Sequence, residues 1–369
     1  MLVVLIKVIS LAGVFLFILR ERFLKKVGVL LSVQLKDVAK HLNISISTVS
    51  RVLNNTGRVN KDTRERILAA IKELGYQPNE IARSLKRKSA NILGVIVPDL
   101  SNRFYAKVIK GVEKIAREND HSVIVCNSDE DIQKEEEYVQ LLLQKQVTGL
   151  VVATVGGNLE LFEQYNKSGI PFVFIDNLPQ TQDDFDVVTI DNVKAGYNLA
   201  KHLVDQGHEK LAIITGPQNQ STAVERLQGF RKCLEEGGLP VRDQWIGIGE
   251  FKRESGYAIM KDWLLHDELP TAIFAANDYQ LYGAIEAILE KGLSVPHDIA
   301  AVCFDANDDT GLVKPQITSI IQPAYKIGSI AAEIIMRKEK KKDFKVFEKV
   351  VLEPTLIINE SSQILIRKR

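Results

Sequence analysis

Apolar residues recur with the period of an α-helix in the stretch LKDVAKHLNISISTVSRVLN, near the beginning of the chain. Leu35 and Val38 give a first helix an apolar face, and Val49 and Val52 do the same for a second helix. Between them stands Asn43, a residue type that tolerates the left-handed backbone of a helix end. The pattern therefore predicts two short helices joined by a tight turn.

The second of these helices is predicted to begin at an N-cap formed by Ser45. Its other face carries side chains that reach base edges and phosphates without a large apolar surface: Ser47, Thr48, Ser50, Arg51 and Asn54. This arrangement is typical of a helix-turn-helix, whose second helix enters the major groove of DNA. The pattern alone also fits an ordinary helical hairpin.

A third helix is predicted over KDTRERILAAIKEL, with Asn60 as its N-cap and Gly75 at its end. It would close a mini-domain around the two helices before it. Arg58, Lys61 and Arg64 lie near its start, where their charges suit phosphate contacts that fix register on a duplex.

From Asn91 onward the pattern changes to short apolar runs separated by amphipathic helices. The strand candidates include ILGVIVP, HSVIVCN, TGLVVAT, PFVFIDN, KLAIITG, TAIFAAND and IAAVCFD. Strands that alternate with helices predict parallel sheets with right-handed crossovers. The length of this part is too great for one such unit, so we expect an α/β body of two doubly wound lobes.

Charge is distributed unevenly along the 369 residues, although the net charge is only +1. Residues 32–89 contain 12 lysines and arginines against 5 acidic residues, and residues 1–31 contain 5 against 1. The rest of the chain contains 31 against 41. A basic head on an acidic body indicates an anionic partner for the head only.

The first residues, MLVVLIKVISLAGVFLFILRERFLKKVGVLL, do not fit this picture. We favour a translation start near Val33, so that an apolar extension over 1–34 is absent from the mature protein. The alternatives are a membrane anchor and a packed extra helix, and a membrane partner is expected only if residues 1–31 are genuine. The apolar run is interrupted by Lys7 and is short for a span. A secretory signal fits less well, because the positive charges follow the apolar region.

Nothing in the sequence indicates catalysis, a metal or a cofactor. Cys126, Cys233 and Cys303 lie far apart in apolar surroundings, as reduced structural thiols of a cytoplasmic protein do. No Ser-His-Asp, Cys-His or phosphate-loop arrangement is present. The acidic stretch DEDIQKEEEY is interpreted as a solvated helix face.

Three motifs together resemble the LacI/GalR family of transcriptional regulators: LKDVAKHLNISISTVSRVLN, GYQPNEIARSL and LGVIVPDLSN. The resemblance extends from Leu35 to the end of the chain. It implies that the segment after Pro78 is a hinge helix that folds on operator binding, and that Leu85 wedges into the minor groove and kinks the DNA. Arg83 and Lys86 flank this wedge and would neutralise phosphates.

By motif position, Ile46 and Ser47 lie where the family makes its operator-discriminating base contacts, and an apolar contact such as a thymine methyl is expected for Ile46. Asn43 stands where glycine is frequent. The full predicted DNA-binding set is Leu35, Ile46, Ser47, Thr48, Ser50, Arg51, Asn54, Arg58, Arg83, Leu85 and Lys86. The predicted domains are an extension over 1–34, a helix-turn-helix domain over 35–78, a hinge helix over 79–90 and a body over 91–369. Within the body, lobe 1 is expected at about 91–188 and 323–348, and lobe 2 at about 189–320 and 350–369.

Polar and aromatic residues near the ends of the predicted strands indicate a ligand site, because ligands of open α/β sheets bind outside the carboxyl ends of strands. The set resembles the sugar cleft of periplasmic ribose-binding proteins, and comprises Asn102, Phe104, Tyr105, Asp176, Arg226, Phe251, Asn277, Asp305 and Gln322. Tyr105 replaces Phe of that pattern, and Asn177 replaces Arg. The loss of the Arg counts against ribose itself, so the expected effector is a sugar or a sugar phosphate.

The resemblance thus implies a homodimeric repressor that binds a palindromic operator as double-stranded DNA and responds to a small-molecule effector. One alternative is a periplasmic sugar-binding protein, which has no need of STVSRVLN. Another is a catabolite regulator with a phosphorylated protein corepressor, but the segment ANDDTGLVKP lacks the arginines expected for a phosphoserine. A sugar-modifying enzyme lacks a nucleophile or an acid–base pair.

Overall fold

The structure is a computed structural model that describes residues 33–53, 56–75, 91–166, 169–179, 185–306, 312, 314–341 and 346–363. The chain divides into two units, Met1–Lys86 and Arg87–Arg369. The predicted N-terminal extension and hinge helix lie outside the described residues, apart from the ends at 33–34.

The first unit contains three helices, α1 (Leu35–Leu42), α2 (Ile46–Leu53) and α3 (Lys61–Leu74). Asn43 ends α1 in the left-handed conformation, with φ of 54°, so this asparagine takes the conformation expected at the turn. The Asn60 side chain caps α3 by accepting a hydrogen bond from the backbone N–H of Asp62 at 3.1 Å. Gly75 follows with φ of 66°. The local signals therefore set the ends of these helices.

A small apolar core holds the three helices together. Its buried members come from each helix in turn: Val38, Ala39, Val49, Val52, Ile67 and Ala70. Their helical spacing turns one face of each helix inward, and the hydrophilic faces remain outside. The first unit is thus a three-helix mini-domain with a helix-turn-helix at its start, as the sequence predicted.

The second unit contains two six-stranded sheets. The first sheet has the order β11-β5-β4-β3-β1-β2, and all its strands are parallel. Its strands are β1 (Ile92–Val97), β2 (Ser122–Asn127), β3 (Gly149–Val152), β4 (Phe172–Ile175), β5 (Asp186–Ile190) and β11 (Lys349–Leu352). Strands buried on both faces form a layer that helices must cover on each side.

The second sheet has the order β12-β10-β9-β8-β6-β7. Its strands are β6 (Leu211–Thr215), β7 (Ile246–Ile248), β8 (Ala272–Ala275), β9 (Ala300–Phe304), β10 (Thr318–Ile321) and β12 (Thr355–Ile357). Only β12 is antiparallel to its neighbour. In each sheet the strand order reverses beside the first strand, at β1 and at β6, which opens a crevice at the carboxyl ends of the strands.

Helices cover both faces of the two sheets. They are α4 (Arg103–Glu118), α5 (Ile132–Gln144), α6 (Leu159–Asn166), α7 (Asn192–Asp205), α8 (Ser221–Glu236), α9 (Arg253–Trp263), α10 (Asp278–Glu290) and α11 (Ala324–Lys341). Helices α4 and α11 pack closely because Gly111 and Gly328 have no Cβ atom to meet the backbone of the facing helix. The predicted α/β fold of two doubly wound lobes is confirmed. None of the described helices is long and apolar enough to cross a membrane.

Two lobe boundaries lie later in the chain than expected. Strand β5 continues to Ile190 in the first sheet, and β11 adds Lys349–Leu352 to the same sheet beside β5. The expected boundaries near 188 and 348 are therefore wrong by a few residues. The reason is packing, because Val350 and Leu352 lie against the core of the first lobe. The short run EKVVLEP does not by itself reveal this contact.

Candidate functional site

The outer face of α2 in the first unit presents the side chains that the sequence selected. Ile46 is 51% exposed although it is aliphatic, and Ser47 and Arg51 are exposed beside it. Ser50 and Thr48 are half-buried. Leu68 on α3 is exposed to a similar extent, at 49%, so exposure alone does not single out Ile46. Its position beside Ser47 and Arg51 on the outer face of α2 does.

Three hydroxyl groups gather at the N-terminus of α2. Ser45 Oγ lies 2.8 Å from both Ser47 Oγ and Thr48 Oγ1, and it accepts a hydrogen bond from the backbone N–H of Thr48 at 3.2 Å. Ser45 therefore caps α2. The exposed hydroxyls, the guanidinium of Arg51 and the apolar Ile46 form a mixed surface that fits base edges and phosphates.

The other predicted DNA-binding residues differ in position. Leu35 is half-buried and packs against the core of the first unit, and Arg58 is exposed in the segment before α3. Asn54, Arg83, Leu85 and Lys86 lie outside the described residues.

All nine predicted effector-binding residues line one cavity in the second unit, between the carboxyl ends of the two sheets. They are Asn102, Phe104, Tyr105, Asp176, Arg226, Phe251, Asn277, Asp305 and Gln322. The cavity has a volume of about 40 Å³, which holds only a few water molecules. The lobes are thus closed around polar groups that contact one another.

Asp176 lies directly after β4 with φ of 57°, which turns its side chain into the cavity. Its carboxylate accepts a hydrogen bond from the hydroxyl of Tyr105 at 2.7 Å, and Arg226 of the second lobe lies 4.0 Å away. Burial raises the pKa of the Asp176 carboxyl above its ordinary value, although Arg226 and the Tyr105 hydroxyl partly offset this. The replacement of Phe by Tyr at 105 therefore supplies a donor to a cleft carboxylate.

Arg226 is the central cation of the cavity. Its Nε donates to Asn192 at 3.0 Å and its Nη1 donates to the carbonyl of Ala276 at 2.6 Å. Its guanidinium carbon lies 3.9 Å from the centre of the Phe304 ring, in a cation–π contact. These contacts hold the guanidinium 4.0 Å from Asp176 of the other lobe, where its charge also interacts with Asp305.

Asp305 follows β9 with φ of 60°, as Asp176 follows β4. It accepts hydrogen bonds from the backbone N–H of Gln322 at 3.0 Å and from its side-chain amide at 2.7 Å. Burial raises the pKa of the Asp305 carboxyl, while Gln322 and the charge of Arg226 counteract the rise. The two carboxylates thus enter the cavity from equivalent places in the two lobes.

Two of the predicted residues cap helices at the edge of the cavity. Asn102 accepts from the backbone N–H of Phe104 at 2.9 Å, and Asn277 accepts from that of Gln280 at 2.9 Å. Asn277 also donates to the carbonyl of Phe251 at 2.9 Å. Each asparagine therefore has a structural role in addition to its place in the cavity.

A polar network joins the lobes beside the cavity, and Asn177 is the member of it that the sequence singled out. The amide of Asn177 donates to Gln220 at 2.8 Å and accepts from the hydroxyl of Thr222 at 2.7 Å. Gln220 in turn donates to Glu130 at 2.8 Å. The signal that could have located these residues is the reversal of strand order at β1 and β6, since Gln220 and Thr222 follow β6.

Glu135 corrects the interpretation of DEDIQKEEEY as a solvated helix face. This residue is fully buried and accepts from Thr154 Oγ1 at 2.9 Å, Val155 N at 2.9 Å and Asn158 Nδ2 at 3.0 Å. Burial raises the pKa of its carboxyl. The carboxylate thus holds the segment that follows β3 against α5.

Two family models match the chain along most of its length. Residues 34–79 match the model described as bacterial regulatory proteins, lacI family. Residues 90–349 match the model described as periplasmic binding proteins and sugar binding domain of LacI family. The chain belongs to the LacI family of bacterial regulatory proteins.

Known proteins of this family cover nearly the whole chain. The chain is 36% identical to catabolite control protein A of Priestia megaterium, over 83% of this chain and 92% of that protein. It is 36% identical to the HTH-type transcriptional repressor PurR of Haemophilus influenzae (strain PittEE), over 89% of this chain and 98% of that protein. The structure of the Lac repressor dimer bound to operator and the anti-inducer ONPF superposes with a TM-score of 0.80 at 26% identity, covering 90% of this chain and 99% of that one.

Proposed function

We propose that this member of the LacI family is an effector-controlled transcriptional repressor that acts in the cytoplasm, where operator DNA is located. Its first unit binds a palindromic operator, with one α2 helix per half-site of a homodimer in the major groove. The observation that carries this proposal is the surface of α2, where an exposed aliphatic side chain stands beside hydroxyls and a guanidinium.

The effector site is the cavity between the lobes. Carboxylates accept from hydroxyl groups, amides and a guanidinium donate, and aromatic rings cover C–H faces, which together suit a polyhydroxylated ligand such as a sugar. A ligand in this place changes the relative orientation of the lobes, and that movement couples the effector site to DNA binding. The relatives named above are transcriptional regulators, and we propose no catalytic role for the cavity.

A second candidate, a catabolite regulator with a phosphorylated protein corepressor, draws support from the name of one relative. The segment ANDDTGLVKP offers it a single cation, Lys314. That cation lies 2.7 Å from Glu360 in an ion pair. We therefore favour a small-molecule effector.

Selection of binding sequences from random duplexes tests the DNA-binding role, since the operator is not needed beforehand. We expect the full-length protein to select a sequence with two-fold symmetry. Arg51→Ala should weaken binding to that sequence by about fivefold or more, since a base contact contributes about 1–3 kcal/mol. Lys72→Ala, which removes an exposed charge from the last turn of α3, is the matched control. Selected sequences without symmetry, or equal losses in both variants, would refute the assignment of α2.

A further inference from the structure

The cavity between the lobes is lined by many more carboxylates than cations. Its acidic residues are Asp99, Glu130, Asp176, Asp278 and Asp305. Arg226 is the one lysine or arginine among the lining residues that the structure describes. Charges in a closed cavity interact more strongly than in water, so this excess of negative charge acts on any ligand that enters.

Arg226 has N–H groups left to donate to a ligand hydroxyl, but its charge is already shared with carboxylates of the cavity. Two of its nitrogen atoms donate to Asn192 and to the carbonyl of Ala276, and its charge faces both Asp176 and Asp305. Burial raises the pKa of both carboxyls in spite of this neighbour. The guanidinium thus neutralises part of the negative charge that these carboxylates already bring to the cavity.

Glu130 and Asp278 add negative charge without a hydrogen bond from a cation. Glu130 accepts from the amide of Gln220 at 2.8 Å, and Asp278 accepts from the backbone N–H of Tyr279 at 2.9 Å. Burial raises the pKa of the Glu130 carboxyl, and the charge of Lys252 offsets only part of this rise. Burial and the charge of Asp305 raise the pKa of Asp278 to about 6, in spite of Arg103.

Asn177 stands where the ribose-type pattern has a second arginine. Its amide nitrogen donates to Gln220, and its oxygen accepts from the backbone N–H of Thr222 at 3.2 Å and from the Thr222 hydroxyl at 2.7 Å. The place of the missing cation is therefore occupied by a neutral side chain whose donor and acceptor both have partners. A ligand phosphate finds no cation there.

We propose that the cavity between the lobes binds a polyhydroxylated ligand without a phosphate or carboxylate group, and rejects sugar phosphates. This proposal rests on the proposed effector role of the cavity. Hydroxyl groups of a neutral sugar donate to carboxylates, whereas a phosphate brings nearly two negative charges and only acceptor oxygens. Its transfer from water into a cavity with excess negative charge meets no cation other than Arg226, whose charge already faces two carboxylates.

Paired ligands test this proposal in the full-length protein. Ribose, glucose, fructose and galactose are each compared with their own phosphate monoester, by thermal shift and by titration calorimetry. We expect a neutral sugar to raise the melting temperature and its ester to bind at least tenfold more weakly. The ratio of the two dissociation constants within one pair of sugar and ester shows whether the wild-type cavity rejects the phosphate.

A charge-neutral cavity supplies the second arm of the test. Glu130→Gln with Asp278→Asn removes two negative charges and keeps similar shapes, so the ester should bind about tenfold or more better relative to its parent sugar. Glu137→Gln with Asp262→Asn removes the same charges from exposed helix positions and should leave the ratio unchanged. If the variant unfolds, the wild-type ratio still decides.

The outcomes distinguish this proposal from the function on which it rests. An ester that binds the wild-type protein more tightly than its parent sugar overturns the exclusion of phosphates and leaves the effector role of the cavity in place. If no member of the panel binds, the sugar specificity and the effector role of the cavity both fail. A gel shift with operator DNA on the same preparation then tests the DNA-binding role independently of these results.

Discussion

Arg226→Met removes the charge of the cleft cation and keeps a side chain of comparable length. In the wild-type protein this side chain is only 4% exposed, lies 4.0 Å from Asp176 of the other lobe, and its charge also interacts with Asp305. The variant leaves Asp176 with the Tyr105 hydroxyl and Asp305 with Gln322 as hydrogen-bond partners. Two buried carboxylates then lack a cation.

We expect Arg226→Met to lower the free energy of unfolding by about 3–5 kcal/mol near pH 8, the usual cost of breaking a buried ion pair. The loss should be smaller near pH 5. Loss of the cation raises the pKa values of the Asp176 and Asp305 carboxyls further above their ordinary values. The folded variant therefore binds protons that the unfolded chain has released, and its stability falls as pH rises through that range.

Urea unfolding at the two pH values, followed by circular dichroism, measures both effects. Arg231→Met is the matched control, because Arg231 lies on the same helix and its charge faces Asp243 at 3.6 Å on the surface. The control should change the unfolding free energy by less than about 1 kcal/mol. A loss below about 1 kcal/mol in Arg226→Met near pH 8, or an equal loss at both pH values, would refute the assignment of Arg226 as a buried charge bridge.

Three further predictions concern other residues. Asn43→Val should lower stability by about 1–2 kcal/mol, because valine is strained in the left-handed backbone, and should speed amide hydrogen exchange in α1 and α2. Asn43→Gly should not speed this exchange, and equal exchange rates in the two variants would contradict the prediction. Glu135→Ala should lower the free energy of urea unfolding by about 1–3 kcal/mol, because it leaves the buried Val155 N–H without its acceptor, and a neutral effect would disprove that role. The Asp278 carboxyl has an ordinary pKa of 3.8 and a folded pKa of about 6, so its ionisation costs stability as pH rises through this window. Asp278→Asn should therefore be about 1–3 kcal/mol more stable than wild type near pH 8 and show no such gain near pH 4, and a gain independent of pH would exclude ionisation as its cause.

The helix ends of the first unit follow from single residues and their nearest neighbours. Asn43 takes the left-handed conformation and Asn60 caps α3, as the sequence predicted. These features depend on hydrogen bonds between residues no more than a few positions apart, so local sequence specifies them. Alternation of apolar runs with amphipathic helices likewise specified the parallel sheets.

Nine of the residues that line the cavity were also predictable, partly for a topological reason. The carboxyl ends of parallel strands meet at one edge of a sheet, so residues that follow different strands, such as Asp176 and Asp305, come together. Residues far apart in the sequence are thus placed in one site by their positions relative to strand ends. The family resemblance selected among them.

Only the tertiary structure decided which hydrogen-bond partners these side chains have. The hydrogen bond from Gln220 to Glu130 joins residues 90 positions apart, and that from Tyr105 to Asp176 joins residues 71 apart. Burial of Glu135 and the addition of β11 to the first sheet likewise depend on neighbours that are distant in sequence. The sequence by itself determined the helix-turn-helix and the two-lobed body, because periodicity and caps act locally, and with the family resemblance it indicated nine of the residues that line the cavity. The excess of unbalanced carboxylates became evident only when the closed lobes placed them around one guanidinium.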